Sequence, residues 1–177
     1  MALADMDPRF GELIEVVAGM HEGVVDPLGR PRYEHFERVA QLLLDRNPDA
    51  SKDEIEAALL HDVITHPAGG VPLLEKLSAS PETIDILKRI TPPSNAKYYT
   101  DIENFTREDN EAYLAYIRDL IASGHNGAIA VKLADIEDTV SYLKAIGSET
   151  TLKQLERQYE PSRQLLQASV GKATTAT

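Results

Sequence analysis

The pair His61–Asp62 is the part of the sequence best suited to chemistry. It follows four apolar residues, 57–60, and precedes Val63 and Ile64, so the stretch is predicted to form a helix that is apolar on all sides. Such a helix is normally buried, and a buried carboxylate is costly unless it is paired or binds a cation. Neighbouring residues on a helix point about 100° apart. The two side chains therefore bond each other poorly but can converge on a third object, and a His–Asp hydrogen bond within the core is the simpler alternative.

Two other polar residues lie in apolar surroundings. His35 shares a helix face with Val39 and Leu42, and Asp135 lies in the apolar stretch 128–136. Either residue alone is weak evidence, since a single histidine on an apolar face is usually a core residue and Asp135 can pair with a lysine one turn earlier. Taken with the His–Asp pair, they supply two imidazoles and two carboxylates, which form a donor set for a divalent cation.

The composition of the chain excludes several other kinds of chemistry. It has 177 residues, with 18 Lys and Arg against 29 Asp and Glu, and a formal net charge of -11. That charge repels nucleic acids and anionic membranes, so neither is an expected partner. The absence of cysteine excludes disulfides and thiolate sites and leaves histidine and carboxylate as metal ligands. No run approaches the roughly 20 apolar residues of a membrane span, and we expect a cytoplasmic protein.

The elements that carry these residues are predicted to be helices throughout. Helical periodicity recurs along the chain, and alternating strand patterns joined by hairpin turns are lacking, which indicates an all-α fold. One domain over 1–170 is expected, followed by a flexible tail, 171–177. The predicted helices span Pro8–His21, 33–46, Ser51–Thr65, Val71–Ser78, Pro81–Ile90, Arg107–Ser123, Asn126–Ala145 and Glu149–Ser169.

The order of the candidate ligands resembles that of the HD-domain superfamily of metal-dependent phosphohydrolases. The superfamily pattern is one histidine, an adjacent His-Asp pair and a distant aspartate, which His35, His61, Asp62 and Asp135 match in that order. By pattern the sequence is most similar to the hydrolase domains of the alarmone (ppGpp) synthetase/hydrolase family and their small stand-alone versions. Three segments carry this likeness: His21–His35 with the spacing of the first motif, Ala57–Val63, and Val131–Asp135.

The resemblance implies an HD-domain helical bundle in which His35, His61, Asp62 and Asp135 hold one divalent ion. Nitrogen and oxygen donors without thiolate suit Mn²⁺, with Fe²⁺, Zn²⁺ or Mg²⁺ as competitors. A bound ion lowers the pKa of a water molecule and stabilises charge on a phosphoryl group. The implied function is hydrolysis of a phosphate ester or anhydride in a nucleotide or a related small phosphorylated metabolite. Because several superfamily members self-associate, a homodimer is also compatible with the resemblance.

The chain departs from the alarmone hydrolases at positions that handle water and substrate. Thr65 and His66 stand where that family has an adjacent Glu-Asp pair, Asp26 replaces an arginine that stacks on guanine, and Thr139 replaces an asparagine. These departures favour a different phosphorylated substrate. Two alternatives stay open, namely a ppGpp pyrophosphohydrolase with an altered catalytic pair and a catalytically silent, metal-containing module that binds a ligand.

Several residues are candidates for direct roles beside the metal. His66 is a candidate general acid or base, because imidazole titrates near neutrality; the alternative is a helix-end histidine that contacts terminal carbonyls. Thr65 is a candidate for orienting water or for capping the helix. The candidates for substrate binding are Arg32 and Lys97, as phosphate ligands, together with Asp138 and Thr139.

Overall fold

The secondary structure is helical throughout the part of the chain that the structure describes. The structure is a computed structural model, and it describes residues 2–94 and 106–173, except for the side chains of 171–173. Within these ranges the backbone forms helices and turns, and the β-type pairing is limited to an isolated bridge between Val25 and Pro31. The all-α prediction is confirmed. No helix in the described ranges combines the length and the apolar character that crossing a bilayer requires.

Two compact units make up the chain, Met1–Thr91 and Pro92–Thr177. The boundary falls at the sequence Thr91-Pro92-Pro93, where the two prolines prevent a helix from continuing. The expectation of one domain over 1–170 stays a prediction.

The first unit is organised around a short buried helix. Its helices are α1 (Leu3–Met6), α2 (Pro8–Met20), α3 (Glu34–Arg46), α4 (Lys52–Leu60), α5 (Val71–Lys76) and α6 (Pro81–Ile90). Helix α4 packs against α2, α3 and α6, and its last four residues, Ala57–Leu60, are fully buried. The apolar pattern of 57–60 therefore predicts the surroundings of α4 correctly.

Side-chain caps mark the beginnings of α2 and α4. The Asp7 carboxylate accepts a hydrogen bond from the Arg9 N–H at 2.8 Å at the start of α2. At the start of α4, the Glu54 N–H donates to Ser51 Oγ at 3.2 Å and the Ser51 N–H donates to the Glu54 carboxylate at 2.6 Å. Such reciprocal bonds satisfy backbone donors that the first helical turn leaves unpaired. Helix α4 consequently starts where the sequence predicts.

The end of α4 differs from the prediction, which extended the helix to Thr65. In a continued helix the Val63 carbonyl would accept from residue 67, but Pro67 has no N–H to donate. The Val63 carbonyl accepts instead from the Gly70 N–H at 2.8 Å, and the chain folds into tight turns over 61–70. His61 keeps α-helical dihedral angles as the residue that ends the helix. The His–Asp pair thus lies at the C-terminal end of α4 and not inside it.

The second unit is organised around one long helix. Its described elements are α7 (Arg107–Ala122), α8 (Asn126–Ile146), α9 (Glu149–Gln154), a π-helical turn (Leu155–Tyr159) and α10 (Glu160–Ala173). Helix α8 packs against each of the other elements. It ends at Gly147, which adopts the left-handed conformation with φ of 65° that glycine tolerates best.

The last predicted helix, Glu149–Ser169, is interrupted in the structure. The widened π-helical turn lies directly before Glu160 and Pro161, because a proline at this point cannot donate to the carbonyl one turn earlier. Helix α10 reaches Ala173, and the remainder of the predicted tail, 174–177, lies outside the described residues. The other predicted helices agree with the structure to within two residues at each end, whereas the four-residue α1 was not predicted.

Candidate metal centre

His35 and His61 lie side by side in the first unit. His35 comes from the first turn of α3 and His61 from the end of α4, and the two residues are 6% and 7% exposed. Their Nε2 atoms are 3.1 Å apart, and the two rings meet nearly edge-on at 81°. The structure therefore brings together two predicted ligands that are separated by 26 positions in the sequence.

The backbone fixes the direction of the His61 ring. Its Nδ1 lies 2.8 Å from the Ala58 carbonyl oxygen, so Nδ1 carries the proton and donates, and the lone pair of the neutral ring is on Nε2. A histidine that binds a metal through one nitrogen commonly donates its other N–H to a carbonyl in this way. The Nε2 atom that faces His35 is thus the atom of His61 that would bind a cation.

The distance between His35 Nε2 and His61 Nε2 shows whether both atoms can bind the same metal ion. Ligand nitrogens about 2.1 Å from a metal and at right angles to each other lie about 3.0 Å apart. The observed 3.1 Å fits that spacing, and it fits an N–H···N hydrogen bond between the rings equally well. The donor set suits a borderline divalent cation.

Asp62 presents its two carboxylate oxygens in different directions. Oδ1 lies 3.7 Å from His61 Nε2, which is too far for a hydrogen bond, so this carboxylate is not paired with His61 in the manner of a core His–Asp bond. Oδ2 accepts from Arg32 Nη2 at 2.9 Å. The side chains of Asp62 and Arg32 are about one third exposed, at 35% and 38%. The carboxylate therefore lies at the solvent side of the imidazole pair.

Phe36, which the sequence pattern does not single out, is a central packing residue of this cluster. Its ring is 1% exposed and lies 4.9 Å from the ring centroid of His61 and 5.5 Å from that of His35. The Arg32 guanidinium lies over the same ring at 5.6 Å, and His21 contacts it at 4.9 Å. The signal in the sequence is an aromatic residue directly after a candidate ligand on an amphipathic helix.

Asp135 lies on α8 in the second unit. Its carboxylate accepts from Lys132 Nζ at 2.8 Å, as the pairing alternative from the sequence predicts. Lys132 is 3% exposed, and its ammonium lies 6.0 Å from the centroid of the Tyr116 ring. Asp138 is also buried at 6% exposure, and Thr139 is half-buried on the same helix.

Thr65 and His66 both bond to the backbone of the turn that follows α4. Thr65 is exposed, and its Oγ1 donates to the Asp62 carbonyl at 3.2 Å. The Nδ1 atom of His66 accepts from the Ala68 N–H at 3.1 Å, so this side chain contacts a backbone donor and not the terminal carbonyls considered from the sequence. The His66 ring also packs on His21, with centroids 4.9 Å apart. Catalytic roles for these two residues stay predictions.

The loop before α3 is held by Asp26. The Asp26 carboxylate accepts from the backbone N–H groups of Leu28 and Arg30 at 2.8 Å and 2.9 Å, and from Arg30 Nε at 2.9 Å. Burial raises the pKa of the Asp26 carboxyl, but these hydrogen bonds and the Arg30 charge outweigh it and leave the pKa below its usual value. Asp26 thus closes the loop. Lys97, a predicted phosphate ligand, lies outside the described residues.

Comparison with known proteins supports the fold. No family model and no curated protein matches the chain. A solved structure matches with a TM-score of 0.60 and 19% sequence identity, and the match covers 93% of this chain and 95% of the other. That structure is of a metazoan ortholog of SpoT, which hydrolyses ppGpp and plays a role in starvation responses. The resemblance to the alarmone hydrolases that the sequence predicts is confirmed at the level of the fold.

Proposed function

We propose that this protein is a metal-dependent phosphohydrolase that acts on a nucleotide or a related small phosphorylated metabolite. The observation that carries the proposal is the approach of the His35 and His61 Nε2 atoms to 3.1 Å, with Asp62 Oδ1 3.7 Å from one of them. We assign His35, His61, Asp62 and Asp135 as the ligands of one divalent ion, on the order of these residues in the sequence. The likeness in fold to a ppGpp hydrolase supports the same reaction class.

The residues of the site prepare the donor atoms that such an ion requires. A bound divalent ion would supply the acidity that makes water a nucleophile near neutral pH and the charge that stabilises a phosphoryl transition state. The Ala58 carbonyl holds the His61 ring so that its Nε2 lone pair faces His35. Nitrogen and carboxylate donors together favour Mn²⁺, with Fe²⁺, Zn²⁺ and Mg²⁺ as alternatives.

His66 is assigned as a hydrogen-bond donor and not as a general base. Because its Nδ1 accepts from the Ala68 N–H, the neutral ring carries its proton on Nε2. A ring in that form can donate to a phosphate or leaving-group oxygen but has no second lone pair with which to deprotonate water. Thr65 Oγ1 donates to the Asp62 carbonyl, and its oxygen lone pairs can accept from a water molecule.

The substrate is proposed to differ from an alarmone. The position where alarmone hydrolases carry an arginine that stacks on guanine is occupied by Asp26, whose carboxylate is engaged with Leu28 and Arg30 of its own loop. Arg32, Lys97, Asp138 and Thr139 stay the candidates for substrate contact. A silent ligand-binding module is the second candidate function, because Thr65 and His66 each use a polar atom to bond the backbone.

The test is product release from a panel of nucleotides, ppGpp and simple phosphate esters with added Mn²⁺. The wild type is compared with Asp62→Ala and with Asp85→Ala, which removes an exposed aspartate of α6 that is paired with Arg89. We expect turnover that chelation abolishes, that Asp62→Ala loses and that Asp85→Ala retains. Pyrophosphate release from ppGpp would identify the alarmone alternative. Metal binding without turnover of any compound would favour the silent module, and absence of metal binding would refute the proposal.

A further inference from the structure

We propose that Arg32 is a positioning residue that holds Oδ2 of Asp62 and so turns Oδ1 toward the imidazole side, where a metal ion would bind. The inference rests on the proposed function, because it assigns Asp62 as a ligand. Arg32 Nη2 donates to Oδ2 at 2.9 Å, while Oδ1 is the oxygen nearest to His61 Nε2, at 3.7 Å. The two oxygens of the carboxylate thus face different partners, with Oδ2 bonded to the guanidinium and Oδ1 on the side of the imidazoles. Asp62 would bind the ion through a single oxygen.

The Phe36 ring holds the guanidinium of Arg32, and two hydrogen bonds hold its backbone. Its Cζ atom lies 5.6 Å from the centroid of the Phe36 ring, a distance at which a cation is attracted to the face of an aromatic ring. Its backbone N–H donates to the Val24 carbonyl at 2.9 Å, and its carbonyl accepts from the His35 N–H at 3.2 Å. The segment that leads into His35 therefore also orients Asp62. A planar, stacked guanidinium can fulfil this role, whereas a flexible ammonium fulfils it only in part.

Two effects of Arg32 on a bound cation have opposite signs. Its positive charge repels the ion, and its hydrogen bond orients the ligand. Because the Asp62 and Arg32 side chains are 35% and 38% exposed, solvent screens the charge. Hydrogen-bond partners of metal ligands typically contribute about 10-fold to 100-fold to metal affinity. Orientation is therefore expected to outweigh repulsion.

The second unit contains a parallel case. Lys132 Nζ donates to Oδ2 of Asp135 at 2.8 Å, and the ammonium lies 6.0 Å from the centroid of the Tyr116 ring. Each proposed carboxylate ligand thus has one oxygen bonded to a cation of its own unit, and each cation lies near an aromatic ring. The repetition supports a positioning role for such cations over an incidental surface ion pair.

The experiment measures Mn²⁺ binding to the full chain by isothermal titration calorimetry. Arg32→Leu is expected to raise the Kd about tenfold, and Arg32→Lys is expected to recover part of the loss. Arg89→Leu is the matched control, since it removes an arginine of the same 38% exposure from an ion pair on α6, and its Kd should equal that of the wild type. Melting temperatures without metal should be alike for all four proteins.

The outcomes separate this inference from the proposed function. If the wild type binds Mn²⁺ and Arg32→Leu binds it equally well or more tightly, Arg32 does not position Asp62, and the proposed function stands. If Arg32→Lys binds Mn²⁺ as poorly as Arg32→Leu although both remain folded, a cation near Oδ2 does not determine the Mn²⁺ affinity. The inference is then likewise wrong. If the wild type binds neither Mn²⁺ nor the competing ions, both the proposed function and the inference about Arg32 are refuted.

Discussion

Replacement of Gly69 by alanine is expected to disrupt the turn that carries Asp62 and His66. A Cβ atom at position 69 would lie 2.1 Å from the Val63 carbonyl oxygen and 3.3 Å from that of His66. Atoms that are not bonded to each other approach to about 3 Å at the closest. The backbone of the turn must therefore move by about 0.9 Å to admit the methyl group.

The cost follows from the hydrogen bonds that such a movement breaks. The Val63 carbonyl accepts from the Gly70 N–H at 2.8 Å, and the Gly69 N–H donates to the His66 carbonyl at 2.9 Å. Val63 is only 2% exposed, so its carbonyl would be left without a partner, at about 1 to 3 kcal/mol. With the loss of the second bond, the expected decrease in the free energy of unfolding is about 2 to 4 kcal/mol.

The assay is urea unfolding followed by far-UV circular dichroism, with Mn²⁺ binding measured on the same samples. Gly19→Ala is the control, because a Cβ atom at position 19 meets nothing within 4 Å and an alanine inside a helix is about 0.5 to 1 kcal/mol more favourable than a glycine. The two variants should shift stability in opposite directions. A Gly69→Ala protein as stable as the wild type, with unchanged Mn²⁺ affinity, would refute the reasoning about this turn.

Three further outcomes follow from contacts of the first unit. Phe36→Leu should lose about 1 to 2 kcal/mol of stability and bind Mn²⁺ more weakly in calorimetry, since the ring that packs on both imidazoles is gone; full retention of affinity would contradict this. Arg9→Met should lower the free energy of unfolding in urea by about 2 to 3 kcal/mol, because the Glu56 carboxylate, 5% exposed, loses its guanidinium partner. The double variant Arg9→Met/Glu56→Met should recover most of that loss. A double variant less stable than Arg9→Met would be evidence against the ion pair. The pKa of Asp26 is lowered from 3.8 in the folded protein. The stability that this carboxylate contributes is therefore fully present above its usual pKa and is lost as the pH falls through the lowered pKa of the folded state. Asp26→Asn should therefore destabilise the protein at pH 7 and flatten the acid part of the stability profile, and an unaltered profile would show that the carboxylate does not stabilise the loop.

Local sequence signals predicted most helices correctly and failed where hydrogen bonds skip several residues. Ser51 and Glu54 marked the start of α4 because their capping bonds are local. The end of α4 depends on the Val63 carbonyl, which accepts from Gly70 seven positions later. The hydrophobic periodicity of the sequence gives no sign of a hydrogen bond of this kind. The absence of an N–H on Pro67 was visible in the sequence, but the partner that replaces it was not.

The sequence offered His35 and His61 as candidate ligands because a titratable residue in apolar surroundings is conspicuous there. His35 and His61 are indeed buried and adjacent. The second layer of contacts was not predictable in the same way. The sequence predicts Arg32 as a phosphate ligand, whereas in the structure it bonds Asp62, 30 positions later. Phe36 has no chemistry of its own and was overlooked, although it packs on both imidazoles.

Local charge pairing reconciles the acidity of the chain with the proposed anionic substrate. The whole chain has a formal net charge of -11, which repels a phosphorylated metabolite at a distance. Each proposed carboxylate ligand, however, bonds a cation, Arg32 for Asp62 and Lys132 for Asp135. Imidazole ligands are neutral when they bind a metal, so a divalent ion held by the proposed ligands would add local positive charge for a phosphorylated substrate. A carboxylate at position 65 or 66 would reduce that positive charge, whereas Thr65 and His66 add no negative charge. The same two substitutions that remove the water-handling pair of the alarmone hydrolases therefore favour retention of a strongly anionic phosphoryl group.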